Sequence, residues 1–226
     1  MVNAEAWQRI NNELEAKATL VAVSKTKPVA DIQSLYELGQ RHFGENYVQE
    51  LVDKQPQLPN DVRWHYIGHL QSNKVKYIAP FVHLIHAVDS FKLLQEINKQ
   101  AAKNNRTIDV LLQLHIAEEE TKFGLDEKEL LELLSYYETQ KDQLQNIRIC
   151  GLMGMASFTE NEAVVRAEFK RLHNAFVNLQ QSNFLFVSHF NTCSMGMSGD
   201  YKLAIEEGST MVRIGSLLFG ARDYNT

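Results

Sequence analysis

Short apolar runs alternate with longer amphipathic stretches along the whole chain. The runs are rich in β-branched or aromatic residues, which is typical of strands buried on both faces of a parallel sheet. Eight of them occur, at 19–23, 41–44, 64–68, 84–88, 109–115, 147–152, 184–188 and 211–215. Eight strands separated by helices predict an α/β fold, a single-domain (β/α)8 TIM barrel over residues 1–226.

The stretches between the runs have the apolar spacing of helices. They lie at 29–39, 47–54, 72–78, 91–104, 127–137, 160–180 and 200–207. Capping-box spacing marks two helix starts, Asp126 with Glu129 and Thr159 with Glu162. The alternative fold is a doubly wound open sheet, which normally has a glycine-rich loop after its first strand. Because residues 24–28 read Ser-Lys-Thr-Lys-Pro instead, we favour the barrel.

Composition narrows the class of partner. The chain has 226 residues, of which 44% are hydrophobic, and a formal net charge of −5. Basic residues are spread along it, so neither nucleic acid nor an anionic membrane is an expected partner. The first 17 residues lack the apolar core of a signal peptide, and no window reaches the apolar length of a membrane span. We therefore expect a cytoplasmic protein that binds a small molecule.

Metal-binding motifs are absent from the sequence. The two cysteines, Cys150 and Cys193, are too few for a disulfide framework or a metal cluster. The eight histidines show no H-E-x-x-H spacing. The sequence therefore predicts no metal site.

Two basic residues belong to apolar runs that closure of the barrel would make neighbours. Lys25 follows the first run and Arg213 lies within the last one, and active groups of such barrels gather at the C-terminal strand ends. Partial desolvation makes an amine a better nucleophile, although a lysine whose head reaches the surface explains the same position. A buried Arg213 needs a partner, either an acid such as Glu45 or a nitrogen or phosphate of a ligand.

A loop rich in serine and glycine follows the seventh predicted strand. Residues 194–200 read Ser-Met-Gly-Met-Ser-Gly-Asp and lead into a predicted helix, and Gly215-Ser216 follow the eighth run. Barrels often bind phosphate with these two loops. A plain helix cap is the alternative interpretation of the same residues.

Six motifs occur together in one order along the chain. They are Ala-Val-Ser-Lys-Thr-Lys-Pro at 22–28, Phe-Gly-Glu-Asn-Tyr at 43–47, Trp-His-Tyr-Ile-Gly-His-Leu-Gln-Ser-Asn-Lys at 64–74, Gly-Leu-Met at 151–153, Ser-Met-Gly-Met-Ser at 194–198 and Gly-Ser-Thr-Met-Val-Arg-Ile-Gly at 208–215. In these motifs the chain resembles the pyridoxal-phosphate homeostasis proteins, from near residue 20 to Asp223-Tyr224.

The resemblance implies a monomeric barrel like the N-terminal domain of alanine racemase. It implies that pyridoxal 5′-phosphate (PLP) is held as an internal aldimine on Lys25 and that Arg213 faces the pyridine nitrogen. By the same resemblance Ser198 and the Gly215 backbone hold the phosphate, with Asn46 nearby. Cys193 before Ser194 is a small departure at a loop edge. No catalytic residue is assigned.

Two functions are compatible with such a site. One is a PLP-dependent amino-acid racemase or decarboxylase of fold type III. Those enzymes use a second domain and an acid/base opposite the lysine, whereas only eleven residues follow Gly215 and no convincing tyrosine or histidine supplies that group. The other function, which we favour, is a protein without catalytic turnover that takes part in PLP homeostasis and delivers PLP to apo-enzymes that require it.

Two further points stay open at the level of sequence. A Schiff-base aldolase of sugar phosphates shares the barrel, the lysine and the phosphate loop, but it does not explain Arg213 or the six motifs. Other lysines, such as Lys122, are candidates for a second PLP site.

Overall fold

The sheet is a closed barrel of eight parallel strands. The computed structural model describes residues 2–118 and 123–220, and in it each strand pairs with the next and β1 pairs with β8. Strands β1 to β8 span Thr19–Val23, His42–Glu45, Arg63–Tyr66, Leu84–Val88, Ile108–Gln113, Ile147–Met153, Thr192–Ser194 and Met211–Ile214. The predicted (β/α)8 TIM barrel is therefore confirmed.

Helices surround this barrel in the described ranges. Helices α1 to α9 span Ala4–Leu14, Val29–Glu37, Val48–Lys54, Val75–Ile78, Phe91–Lys103, Glu127–Thr139, Glu162–Gln181, Tyr201–Glu206 and Ser216–Phe219. The predicted helical stretches agree with α2 to α8 to within two residues, except that 72–74 form a 3₁₀ turn before α4. In the part of the chain that the structure describes, no helix has both the length and the apolar character that crossing a membrane requires.

Side chains point alternately to the inside and the outside of the barrel along each strand, which separates two apolar layers. In β1, Val21 belongs to the small cluster inside the barrel, whereas Leu20 and Ala22 belong to the larger layer between sheet and helices. The inner cluster consists of Val21, Leu84, Ala87, Leu111, Cys150, Met153 and Met211. The interior also holds buried polar side chains, among them His65, His86, Ser194 and Arg213, which are described with the functional site.

The seventh strand does not lie where the apolar pattern predicts it. Residues 184–188 are a turn region, and β7 is the polar segment Thr192–Ser194. Phe184 is buried and stacks on Phe190 with ring centroids 4.1 Å apart, but Phe186 is 96% exposed and has a φ of 65°. The prediction was wrong because the apolar run lies in a turn region, where Phe184 packs against Phe190, while a three-residue polar strand has no apolar run to reveal it.

One of the two predicted capping boxes is confirmed. The Asp126 carboxylate accepts the Glu129 N–H at 2.8 Å, and the Glu129 carboxylate accepts the Asp126 N–H at 2.9 Å. The box predicted for Thr159 and Glu162 is wrong, because α7 begins at Glu162 and Asn161 caps it by accepting the N–H of Ala163. Asparagine caps a helix as well as threonine does, so the spacing placed the start two residues early.

Candidate functional site at the C-terminal end of the barrel

Four of the five predicted site residues lie at adjoining strand ends. Lys25 is two residues beyond β1, Asn46 directly follows β2, Ser198 lies in the loop after β7 and Gly215 directly follows β8. Since β1 pairs with both β2 and β8, residues far apart in sequence share one rim. This is the rim on which parallel barrels carry their ligands.

A buried lysine joins β1, β2 and α3 next to this rim. The Lys54 ammonium donates to the Ser24 carbonyl at 2.8 Å, to Glu45 Oε1 at 2.8 Å and to Glu50 Oε1 at 2.6 Å. Lys54 is 6% exposed and Glu45 is 0% exposed, so each buried charge is stabilised by the opposite charge of the other. No motif or spacing indicates this network, because in the sequence Lys54 is only the last residue of a predicted helix.

The same network holds the backbone on both sides of Lys25. Glu50 Oε1 also accepts the Thr26 N–H at 2.6 Å, and the Lys27 N–H donates to the Ser24 carbonyl at 3.0 Å and closes a turn. Thr26 has a φ of 63°, a conformation that threonine rarely adopts without support. The contacts from α3 therefore fix the segment that carries Lys25.

Glu45 is the partner of Lys54 and not of Arg213. Besides Lys54, its carboxylate accepts the Ser24 hydroxyl at 2.6 Å. Burial raises the pKa of Glu45, and the Lys54 charge opposes that effect. The suggested pairing of Glu45 with Arg213 is wrong. The Lys54 ammonium, at the end of α3, pairs with that carboxylate, and Arg213 bonds to Ser194 and Gly154 instead.

Arg213 lies inside the barrel and is 3% exposed. Its Nη1 donates to Ser194 Oγ at 2.7 Å and its Nη2 donates to the Gly154 carbonyl at 3.0 Å. Desolvation lowers the pKa of Arg213 to about 10, so the guanidinium stays protonated near neutral pH. A protonated guanidinium only donates hydrogen bonds, and these two contacts orient its remaining N–H groups.

Two buried acceptors near the rim lack a hydrogen-bond partner among the described residues. They are Oδ1 of Asn46 and Oε2 of Glu45. A buried polar atom without a partner costs roughly 1–3 kcal/mol. The amide of Asn46 can be turned to present its NH₂ group instead, and in either orientation a ligand with a hydrogen-bonding group would remove this cost.

Ser198 and Gly215 bring the loops after β7 and β8 into contact. The Gly215 N–H donates to Ser198 Oγ at 3.2 Å. The hydroxyl proton of Ser198 is still free to be donated, because its oxygen acts as the acceptor in that bond. A Cβ at Gly215 would lie 3.2 Å from the Val23 carbonyl, so a side chain there would crowd the end of β1.

A hydrogen-bonded chain of imidazoles runs through the barrel to Arg213. His42 Nδ1 lies 2.8 Å from His65 Nε2, and His65 Nδ1 lies 2.8 Å from His86 Nε2. His86 Nδ1 then lies 3.2 Å from the hydroxyl of Ser194, to which Arg213 donates. Burial lowers the pKa of His42 to about 4 and that of His65 and His86 well below 6.5. The rings are therefore neutral at pH 7.

Comparison with known proteins identifies the relatives of this chain. Residues 4–223 match the sequence model of the family described as alanine racemase, N-terminal domain. A pyridoxal phosphate homeostasis protein of Aquifex aeolicus is 43% identical over 208 residues, which is 92% of this chain and 88% of the relative. The protein of that name from Escherichia coli is 41% identical over 212 residues, which is 92% of this chain and 87% of the relative.

Solved structures contain the same barrel. PipY of Synechococcus elongatus without PLP is 36% identical, has a TM-score of 0.87 and covers 96% of this chain and 99% of its own. PipY with PLP bound has a TM-score of 0.85 at the same identity and coverage. An alanine racemase of Streptomyces coelicolor shares only the fold, with 16% identity, a TM-score of 0.77 and coverage of 97% of this chain and 58% of its own.

The fold, the lysine at the end of β1 and these matches define a barrel of the alanine racemase N-terminal class. Within this class, the chain belongs to the family of pyridoxal phosphate homeostasis proteins. The resemblance drawn from the six motifs is thereby confirmed. The roles of the five site residues stay predictions, and Lys122 and Asp223-Tyr224 lie outside the described residues.

Proposed function

We propose that the protein binds PLP reversibly at the C-terminal end of the barrel, through a Schiff base with Lys25, and delivers it to apo-enzymes without turning over amino acids. The observation that carries this proposal is the meeting of Lys25, Asn46 and the Ser198–Gly215 contact on one rim above the buried Arg213. Relatives named for pyridoxal phosphate homeostasis and the PLP-bound structure of PipY support the choice of cofactor.

The residues of the rim fit the chemical groups of PLP. The amine of Lys25 suits the aldehyde, and Arg213 suits the ring nitrogen, which accepts a hydrogen bond. The Ser198 hydroxyl is a donor for the phosphate, and the Gly215 N–H would become one on turning from Ser198 Oγ to the phosphate. The buried amide of Asn46, with its unpaired oxygen, suits a further polar group of the cofactor. PLP itself would supply an electrophilic aldehyde and a ring that can act as an electron sink.

Arg213 supports a binding role over a catalytic one. Because a guanidinium cannot accept a hydrogen bond and keeps its proton, it would leave the ring nitrogen of PLP unprotonated. An unprotonated ring withdraws electrons less strongly, which weakens the stabilisation of a carbanion. The bonds of Arg213 to Ser194 and Gly154 hold the guanidinium in place for this effect.

Turnover and transfer are the readouts that separate the two functions. PLP-loaded protein is mixed with L- or D-alanine and several other amino acids, and chiral chromatography follows their enantiomers. We expect no lysine-dependent turnover, while an apo-enzyme added to the same protein gains activity as PLP passes to it. Racemisation that approaches the usual enzymatic rate of about 10 per second, and that disappears in a Lys25→Ala control, would establish the racemase instead.

Ser198→Ala is expected to weaken the binding of PLP by about 1–3 kcal/mol, the scale of a hydrogen bond to a charged group. Pyridoxal, which lacks the phosphate, should bind equally well to variant and wild type. Fluorescence titration of both ligands gives the two affinities. Ser34→Ala, on the outer surface of α2, is the matched control. Equal losses for PLP and pyridoxal in Ser198→Ala would show that this serine does not contact the phosphate.

A further inference from the structure

Three histidines meet at the N-terminal end of the barrel, opposite the rim that carries Lys25. They are His42, His65 and His83, and one ring nitrogen from each lies within 4.8 Å of the other two. The ring centroids are 5.0 Å apart for His42 and His65, 5.7 Å for His42 and His83, and 5.4 Å for His65 and His83. Three imidazoles converging on one point form a ligand set typical of zinc and related metals.

We propose that His42, His65 and His83 form a binding site for a transition-metal dication such as Zn²⁺. The site is separate from the proposed PLP site, since its ligands lie toward the other end of the strands, although His86 and Ser194 link His65 to Arg213. The following contacts carry the proposal.

Rigid backbone places the three ligands. His42 begins β2, His65 is the third residue of β3 and His83 directly precedes β4. These strands pair side by side, and the His83 N–H is bonded to the Trp64 carbonyl at 2.8 Å. Ligands on paired strands of one sheet have a fixed spacing, which a metal site needs.

The spacing of the nitrogens suits tetrahedral coordination. Zinc–nitrogen bonds of about 2.0–2.1 Å put neighbouring ligand atoms about 3.3 Å apart in a tetrahedron. His42 Nδ1 and His65 Nε2 are 2.8 Å apart, and the widest separation in the cluster is below 4.8 Å. Small rotations of the half-buried His42 and His83 side chains close the site. Three protein ligands leave a fourth position for water.

A hydrogen bond to His86 orients His65, the most buried of the three ligands. His65 is 0% exposed and turns Nε2 toward the cluster, while its Nδ1 is bonded to His86 Nε2 at 2.8 Å. His86 continues to the Ser194 hydroxyl at 3.2 Å. A metal-binding histidine typically donates its second N–H in this way, which fixes the tautomer that leaves the other nitrogen free to bind.

Charged residues around the cluster set its affinity. Two of the arginines near His83 have partners of their own. Arg106 donates to the carbonyls of Ala79 and Val82, and Arg148 is paired with Asp109 at 2.6 Å. Arg63 is exposed and lies 3.1 Å from His42 Nε2. Because a guanidinium only donates, His42 carries its proton on Nδ1 in this contact. When Nδ1 binds the metal, that proton moves to Nε2 and Arg63 turns to solvent, so no net proton is released.

Metal titration of the full-length protein, with and without PLP, tests the site. After treatment with a chelator, calorimetry with Zn²⁺ should show one site, and Co²⁺ should produce the visible absorption of a tetrahedral centre. His42→Ala with His83→Ala should weaken binding at least about 100-fold, since two of three ligands are lost. Arg63→Gln should tighten it several-fold, because it removes a positive charge beside the metal.

The control replaces two histidines outside the cluster, His115→Ala with His173→Ala, and should keep wild-type affinity. Circular dichroism establishes that each variant is folded, and His83→Gln repeats the test if the double variant unfolds. Unchanged one-site binding in a folded His42→Ala, His83→Ala variant would overturn the proposal. Failure of wild-type protein to bind Zn²⁺ or to develop the Co²⁺ absorption would overturn it equally.

Discussion

Replacing Lys25 with alanine is expected to abolish the covalent attachment of PLP and to leave the fold intact. The side chain lies beyond the last residue of β1 and is only half buried, so its removal opens no cavity in the core. The loss should exceed that of a single hydrogen bond to a charged group, and a Kd increase of about 100-fold or more corresponds to roughly 3 kcal/mol. Absorbance titration with PLP measures both the visible band and the affinity.

Lys27→Ala is the matched control for this variant. It removes the same charge and the same number of atoms two residues further along, and it should keep the visible band. Thermal unfolding of both variants should follow wild type. A visible band that persists in Lys25→Ala and vanishes in Lys27→Ala would mean that the wrong lysine has been chosen.

Lys54→Met is expected to destabilise the protein by about 3–5 kcal/mol, the usual cost of removing one partner from a buried ion pair. Methionine fills a similar volume, but it leaves Glu45, which is 0% exposed, without a cation. It also removes the ammonium that links the Ser24 carbonyl to Glu50, which holds the Thr26 N–H, and so loosens the segment of Lys25. Urea unfolding monitored by circular dichroism gives the free energy of unfolding.

The destabilisation by Lys54→Met should be smaller at pH 5 than at pH 7. Burial raises the pKa of Glu45 in the folded protein, and the loss of Lys54 removes the charge that opposes this rise. The folded variant then binds a proton more readily than the unfolded chain, so its stability falls as the pH rises above the unfolded pKa of about 4.3. Adding Glu45→Gln should restore part of the stability.

The control for Lys54→Met is Lys128→Met, on a side chain that is 84% exposed and 3.8 Å from Glu132. An exposed pair contributes little, so the change should stay within about 0.5 kcal/mol. Equal effects of the two substitutions would show that the Lys54 network does not stabilise the fold.

Seven of the eight strands follow from the sequence because each overlaps one of the predicted runs, which carry apolar or aromatic residues into a sheet that is buried on both faces. The seventh does not, since Thr192–Ser194 is short and polar while the apolar run at 184–188 packs elsewhere. The residues that gather at one rim can also be predicted, because parallel topology alone brings the strand ends with Lys25 and Gly215 together. The resemblance to pyridoxal-phosphate homeostasis proteins then predicts which of these residues contact a ligand.

Contacts between distant side chains could not be predicted from spacing. Lys54 reaches Glu45 and Ser24 only because α3 folds back over β1 and β2. His42 and His65 meet because the parallel pairing of β2 with β3 brings their side chains together inside the barrel. Metal motifs such as H-E-x-x-H describe ligands on one helix, so a set that comes from three strands has no such pattern.

Borohydride reduction of the PLP-loaded wild-type protein, followed by peptide mass mapping, tests the central claim most directly. Reduction converts a Schiff base into a stable amine, so the modified residue records where PLP was attached. The proposed function predicts one pyridoxyl group, on Lys25. Attachment to Lys27 or Lys54 instead, or a protein that remains unmodified at saturating PLP, would contradict it.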